Sequence, residues 1–144
     1  MIKPKILFLC TGNSCRSQMA EGWTHALKGS VLDPHSAGTE PRPVDPLAVR
    51  VMAEAGVDIS SQKSKSLESL KGIPFDYVIT LCDDAGEACP FFPGARKTIH
   101  KGFDDPPALA RGAATEEEAL AIYRRVRDEI RAFVETLPGS LEIA

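Results

Sequence analysis

No stretch of the chain approaches the 18 or more consecutive apolar residues of a membrane span, and the opening Met1-Ile2-Lys3-Pro4-Lys5 leads into only five apolar residues. That start is too short for the apolar core of an export signal, so the expectation is a soluble, cytoplasmic protein. Basic charge is not in excess: 17 Lys and Arg stand against 20 Asp and Glu, a formal net charge of −3, which removes the electrostatic footprint of a nucleic-acid binder. Cysteine is scarce, four in 144 residues, and cannot build a disulfide scaffold. In a reducing compartment such cysteines are catalytic, redox-active or metal-bound. Metal binding is disfavoured, because only Cys10 and Cys15, with four residues between them, fall within zinc-knuckle spacing, six residues separate Cys82 from Cys89, and the three histidines lie far from the cysteines in sequence. Neither repeats nor low-complexity segments are present.

What is there fits one compact domain over residues 1–144. A chain of roughly 150 residues buries about 70% of the surface that its unfolded form exposes. The composition, 43% hydrophobic and 26% charged, is that of an ordinary globular protein.

Lys5-Ile6-Leu7-Phe8-Leu9 reads as a strand buried on both faces, ending at Cys10. Thr11-Gly12-Asn13-Ser14 is turn chemistry. From about Ser17, residues Met19, Ala20, Trp23, Ala26 and Leu27 repeat at helical spacing until Gly29. Val31 to Ala37 predicts a second strand, with Pro34 confining part of it to an edge or bulge. Asp45-Pro46 caps a helix whose stripe is Leu47, Val51 and Ala55, closed by Gly56. Ser60 to Ser66 reads as an exposed connection before a short helical segment at Leu67 to Leu70.

Phe75 to Leu81 is a strand that also ends at a cysteine, Cys82. Ala95 to His100 predicts a fourth strand, Asp104 to Ala114 a loop or short helix, and Thr115-Glu116-Glu117-Glu118 a capping box. The helix it opens presents Leu120, Tyr123, Val126, Ile130, Phe133 and Leu137 on one face and ends at Pro138-Gly139. Strands alternating with helices imply an α/β fold, a single four-stranded parallel sheet with helices on both faces. Sites in such sheets lie beyond the carboxyl ends of the strands, where Cys10 and Cys82 both fall.

Cys10-Thr11-Gly12-Asn13-Ser14-Cys15-Arg16-Ser17 sets a cysteine and an arginine, with five residues between them, between strand and helix. Such a loop can curl its N–H groups around a tetrahedral oxyanion, with the helix N-terminus adding positive potential. Arg16 offers a planar fork able to hold two oxyanion oxygens. The same field stabilises a thiolate at Cys10, and Ser17 is placed to donate to it. Gly12 and Asn13 suit a tight loop. Thr11, Gly12, Asn13, Ser14, Cys15, Arg16 and Ser17 are therefore the substrate-binding set, with Cys15 a supporting residue.

This loop resembles that of the low-molecular-weight protein tyrosine phosphatase fold, and Cys-Thr-Gly-Asn-Ser-Cys-Arg-Ser-Gln-Met-Ala-Glu is similar to the thioredoxin-coupled arsenate reductases built on it. Further matches are Ser36-Ala37-Gly38-Thr39, Gly56-Val57-Asp58-Ile59-Ser60, Thr80-Leu81-Cys82, Cys89-Pro90, Gly102-Phe103-Asp104-Asp105-Pro106 and Arg125-Val126-Arg127-Asp128-Glu129-Ile130. The resemblance implies arsenate capture on Cys10, arsenite release with a Cys10–Cys82 disulfide, and transfer to a Cys82–Cys89 disulfide reduced by thioredoxin. It selects Asp105 as general acid.

Some members of that family hold potassium beside the loop with Asn, Glu, Ser and Asp. Asn13, Glu21 and Ser36 match, but Lys65 stands at the Asp position, so no metal or other resident cofactor is expected. A monomer is expected, whose partners are arsenate or a related oxyanion and thioredoxin, with no nucleic acid and no membrane. Two other readings stay open: a phosphatase of the same fold, and a non-enzymatic oxyanion or redox sensor.

Overall fold

The computed structural model describes residues 2–82 and 92–142. Four parallel strands, β1 (Lys5–Cys10), β2 (Asp33–Gly38), β3 (Tyr77–Thr80) and β4 (Lys97–His100), form one sheet in the order β2-β1-β3-β4. β1 is central, and Ile6 to Leu9 have no exposed surface, as a continuous apolar run between two neighbours requires. β2 lies at the edge, where Pro34 removes no needed ladder donor.

Alternation along the strands divides the core. Ile6, Phe8, Ile79 and Leu81 face helices α1 (Arg16–Lys28), α2 (Pro46–Glu54) and α4 (Glu116–Glu135). Leu7, Leu9 and Val78 face the other way, against Ala37, Leu70, Phe75 and Phe92, with a 3-10 turn at Leu67–Leu70 beside them.

Helix α1 departs from its expected stripe. Residues Arg16 to Thr24 are all buried, polar ones included, whereas Ala26 and Leu27 are exposed. The first two turns are enclosed because they close the site; the last turn emerges from the fold. In α2, Asp45 accepts from the Leu47 N–H at 2.9 Å, the cap expected of it, and Ala48, Val51 and Met52 form the fully buried face.

The capping box of α4 is displaced by one residue. Thr115 accepts from the Glu118 N–H at 3.1 Å, but Glu118 reaches back to the N–H of Ala114. Leu120, Tyr123, Val126 and Ile130 are buried as expected; Val134, not Phe133, completes that face. A short α3 (Pro106–Ala110) precedes it, and a turn of helix, α5 (Gly139–Glu142), follows Pro138-Gly139, where the sequence predicts only a stop. Leu141 on α5 is buried in the core. Among the described residues no helix is long and apolar enough to cross a membrane.

Candidate active site

The loop between β1 and α1 is shaped from outside. The carbonyl of Thr11 accepts from the Glu40 N–H, that of Gly12 from Arg42 and that of Ser14 from Asp45, at 2.8 to 2.9 Å, while the Asn13 carbonyl accepts from Gln18 Nε2 at 2.9 Å. A trans peptide sets each N–H opposite the preceding carbonyl. Four consecutive carbonyls turned outward therefore turn the N–H groups of Gly12, Asn13, Ser14 and Cys15 into the loop, forming an anion cradle capped by the start of α1.

Asn13 adopts φ 47°, a left-handed conformation that asparagine tolerates. Gly38, level with Cys10 on β2, lets the neighbouring strand approach: a Cβ there would lie 2.5 Å from the Thr11 carbonyl oxygen and 2.8 Å from the Asn13 nitrogen.

A chain of hydrogen bonds ends at Cys10. The Lys65 backbone N–H donates to Asn13 Oδ1 at 2.7 Å, which leaves Asn13 Nδ2 to donate to Ser17 Oγ at 2.8 Å. Ser17 Oγ in turn shares a hydrogen bond with Cys10 Sγ, 2.9 Å away. All three side chains, Asn13, Ser17 and Cys10, are buried. Segment 60–66 is thus no mere exposed connection. Its residues Lys63, Ser64 and Lys65 bond to Gln18, to the Gly12 carbonyl and to Asn13, and Gln62 bonds to Gln18.

Arg16 is 3% exposed and fixed at its base: Nη1 donates to the carbonyls of Phe103 at 3.1 Å and Leu81 at 3.3 Å. Its Nη2 stands 3.6 Å from Asp105 Oδ1. The neighbouring carboxylates separate: Asp104 pairs with exposed Arg125 at 3.0 Å, and Asp105 faces the cavity. That cavity, about 370 Å³, is lined by Cys10, Thr11, Gly12, Ser14, Cys15 and Arg16 together with Asp105.

Cys15 is buried and its thiol is pushed well above the usual range, first by burial and then by the negative charge of Asp45. That favours the neutral thiol at this position. Cys10 and Cys15 are free, whereas Cys82, 1% exposed, is disulfide-bonded. Because Leu9 is in register with Thr80, Cys82 emerges just beyond the level of Cys10 on the adjacent strand. Cys89 lies outside the described residues.

Asp45 and Tyr123 were not singled out as site residues by the sequence, yet they tie the site to α4. The Tyr123 hydroxyl donates to Asp45 Oδ2 at 2.5 Å, and the Asp45 N–H holds the Ser14 carbonyl. Burial and then the Asp45 hydrogen bond raise the Tyr123 hydroxyl far above the ordinary tyrosine range. Tyr123→Phe is expected to cost about 1–2 kcal/mol at neutral pH in urea unfolding. A raised folded pKa stabilises below the unfolded value of about 10 and loses that contribution above it, so the gap between wild type and variant should hold to about pH 10 and then shrink.

An α/β sheet presenting a buried thiol and a buried guanidinium at opposite ends of one anion cradle has the makings of a site for tetrahedral oxyanions. The chain belongs to the low molecular weight phosphotyrosine protein phosphatase family, whose model matches residues 5–142. It is 50% identical over 135 residues to the arsenate reductase of Bacillus subtilis strain 168, covering 91% of this chain and 95% of that one. Among solved structures, an arsenate reductase in the phosphate binding state aligns with TM-score 0.77 at 33% identity, over 93% of this chain and 95% of the other. A thioredoxin-dependent arsenate reductase of Corynebacterium glutamicum aligns with TM-score 0.69 at 27% identity, over 99% of this chain and 63% of the other.

Proposed function

We propose that this protein reduces arsenate to arsenite through a relay of Cys10, Cys82 and Cys89, regenerated by thioredoxin. The observation carrying the reading is the pair of neighbouring strand ends, a free Cys10 inside the anion cradle and an oxidised Cys82 beside it. A phosphatase of this fold needs only the first, since water can release a phosphoryl group from the thiol. The identity to arsenate reductases over nine-tenths of the chain supports the same choice.

The Cys10 thiolate, receiving the Ser17 hydroxyl, attacks arsenic held by the loop N–H groups and Arg16. One oxygen leaves as water with a proton from Asp105. Cys82 then attacks Cys10 Sγ. The sulfur–arsenic bond breaks with its electron pair going to arsenic, which leaves as arsenite, and a Cys10–Cys82 disulfide remains. Two thiols supply the two electrons. Attack by Cys89 on Cys82 frees Cys10 and moves the disulfide to a position where the two thiols of thioredoxin can reduce it.

The test is a single arsenate turnover without reductant, followed by disulfide mapping. One arsenite and one Cys82–Cys89 disulfide per chain are expected, and steady turnover should return with a thioredoxin system. Full arsenite production by Cys82→Ser under those conditions would sink the relay. Hydrolysis of phosphate esters with no arsenite formed would establish the phosphatase instead.

The residues beside the loop do not fit potassium. Asn13 Oδ1 already accepts from the Lys65 N–H, and Glu21 Oε1 accepts from Ser36 Oγ at 2.7 Å while facing Lys65 Nζ at 3.6 Å. The chain's own donors occupy these oxygens, and the Lys65 ammonium supplies the positive charge. Activity and melting temperature are accordingly expected to be equal in potassium and sodium at matched ionic strength; a specific gain in potassium would refute this role of Lys65.

A further inference from the structure

The cavity is larger than its inner cradle needs. A tetrahedral oxyanion occupies roughly the space of two to three waters, at about 30 Å³ each in the liquid, so about 370 Å³ leaves an outer vestibule. Its further lining residues are Glu40, Arg42, Pro107 and Arg111. Together with Arg16 and Asp105, the walls carry three guanidinium groups against two carboxylates in a protein whose net charge is −3. Among the described residues no aromatic side chain lines it, and Pro107 is the largest apolar one.

Arg42 is held in place for this. Its N–H bonds the Gly12 carbonyl at 2.9 Å, its aliphatic stem lies over Gly12, and Pro41 and Pro43 restrict the backbone on both sides. Arg111 closes α3 immediately after the helix that follows Asp105-Pro106. Both guanidinium groups are exposed at the mouth, whereas Arg16 is buried at the floor.

We infer that Arg42 and Arg111 form an outer capture site for free inorganic oxyanion dianions, drawing them toward the cradle and giving an organic ester substituent nothing apolar to bind. The inference rests on the oxyanion-reducing reading above. Charge at a cleft mouth raises local anion concentration and falls off with salt, so it acts on capture and not on the bond-making step.

Affinity is read without turnover, from protection of Cys10 against iodoacetamide by arsenate, inorganic phosphate or phenyl phosphate. The Arg42→Ala/Arg111→Ala double variant is expected to need about tenfold more arsenate and phosphate for protection, with a flatter salt dependence. In arsenate reduction the loss should appear in KM and not in kcat, and Arg42→Lys/Arg111→Lys should restore most of it. Unchanged protection in the alanine variant would overturn the capture site. Phenyl phosphate protecting wild type tenfold better than phosphate would overturn its restriction to inorganic ions. A wild type that is protected by arsenate yet produces no arsenite would refute the reductase reading alone and leave the capture site standing.

Discussion

Cys10→Ser is expected to abolish arsenite formation, a loss of about 10⁴-fold or more, while leaving the fold and the anion cradle intact. The hydroxyl that replaces the thiol is a far weaker nucleophile near neutral pH, and, more decisively, oxygen cannot be the sulfur that Cys82 attacks. No disulfide can form at position 10, so reduction has no source for its electron pair. The cradle does not depend on the sulfur, because its carbonyls are bound by Glu40, Arg42, Asp45 and Gln18. Arsenate or phosphate at a hundred times its dissociation constant should therefore still stabilise the variant by about 2.7 kcal/mol, seen as a rise in melting temperature. An active Cys10→Ser variant would remove the cysteine from the mechanism.

Gly38→Ala is expected to produce the largest loss of stability for one added methyl group. All three atoms nearest the new Cβ belong to the backbone of the active loop: the Thr11 oxygen at 2.5 Å, the Asn13 nitrogen at 2.8 Å and the Cys10 oxygen at 2.9 Å. The strand cannot retreat. Gly38 pairs with Cys10 on one side, and on the other its N–H bonds Lys65 and the residue bridges to Ser66. Overpacking of this kind costs about 3 kcal/mol, roughly 10 °C in melting temperature for a domain of this size. The displaced atoms form the anion cradle, so activity should fall further than stability alone accounts for. A fully active alanine variant with unchanged urea midpoint would show that the contact relaxes freely.

Residues whose chemistry is local were legible in the sequence. Cys10, Arg16 and Ser17 lie within one strand–loop–helix segment, where spacing and turn chemistry determine their arrangement. Asp105 was selected over Asp104 by resemblance, and the structure separates the two by partner: Arg16 for one, Arg125 for the other.

The supports of the loop were not legible, because they arrive from far along the chain. Gln18 is an ordinary helix residue until Gln62 and Lys63 meet it, and the Ser60–Ser66 run looks solvated until Lys65 is seen to orient Asn13. Asp45 was read correctly as a helix cap, but its second carboxylate oxygen and its N–H serve Tyr123 and Ser14. Periodicity likewise missed that Ala26 and Leu27 emerge from the core, since a stripe does not reveal where its partner surface ends.

The outward anchoring of the four loop carbonyls has a bearing on how the protein tells its substrate from a look-alike. A cradle shaped in advance by the rest of the fold measures geometry and charge, and phosphate shares both with arsenate. Phosphate should therefore enter, occupy and leave as a competitive inhibitor. Selection then falls after binding: only the arsenic centre accepts an electron pair from a sulfur bond under attack by a second thiol. In the proposed relay, fidelity resides in the redox step and in the sulfur of Cys82, outside the anion-binding loop.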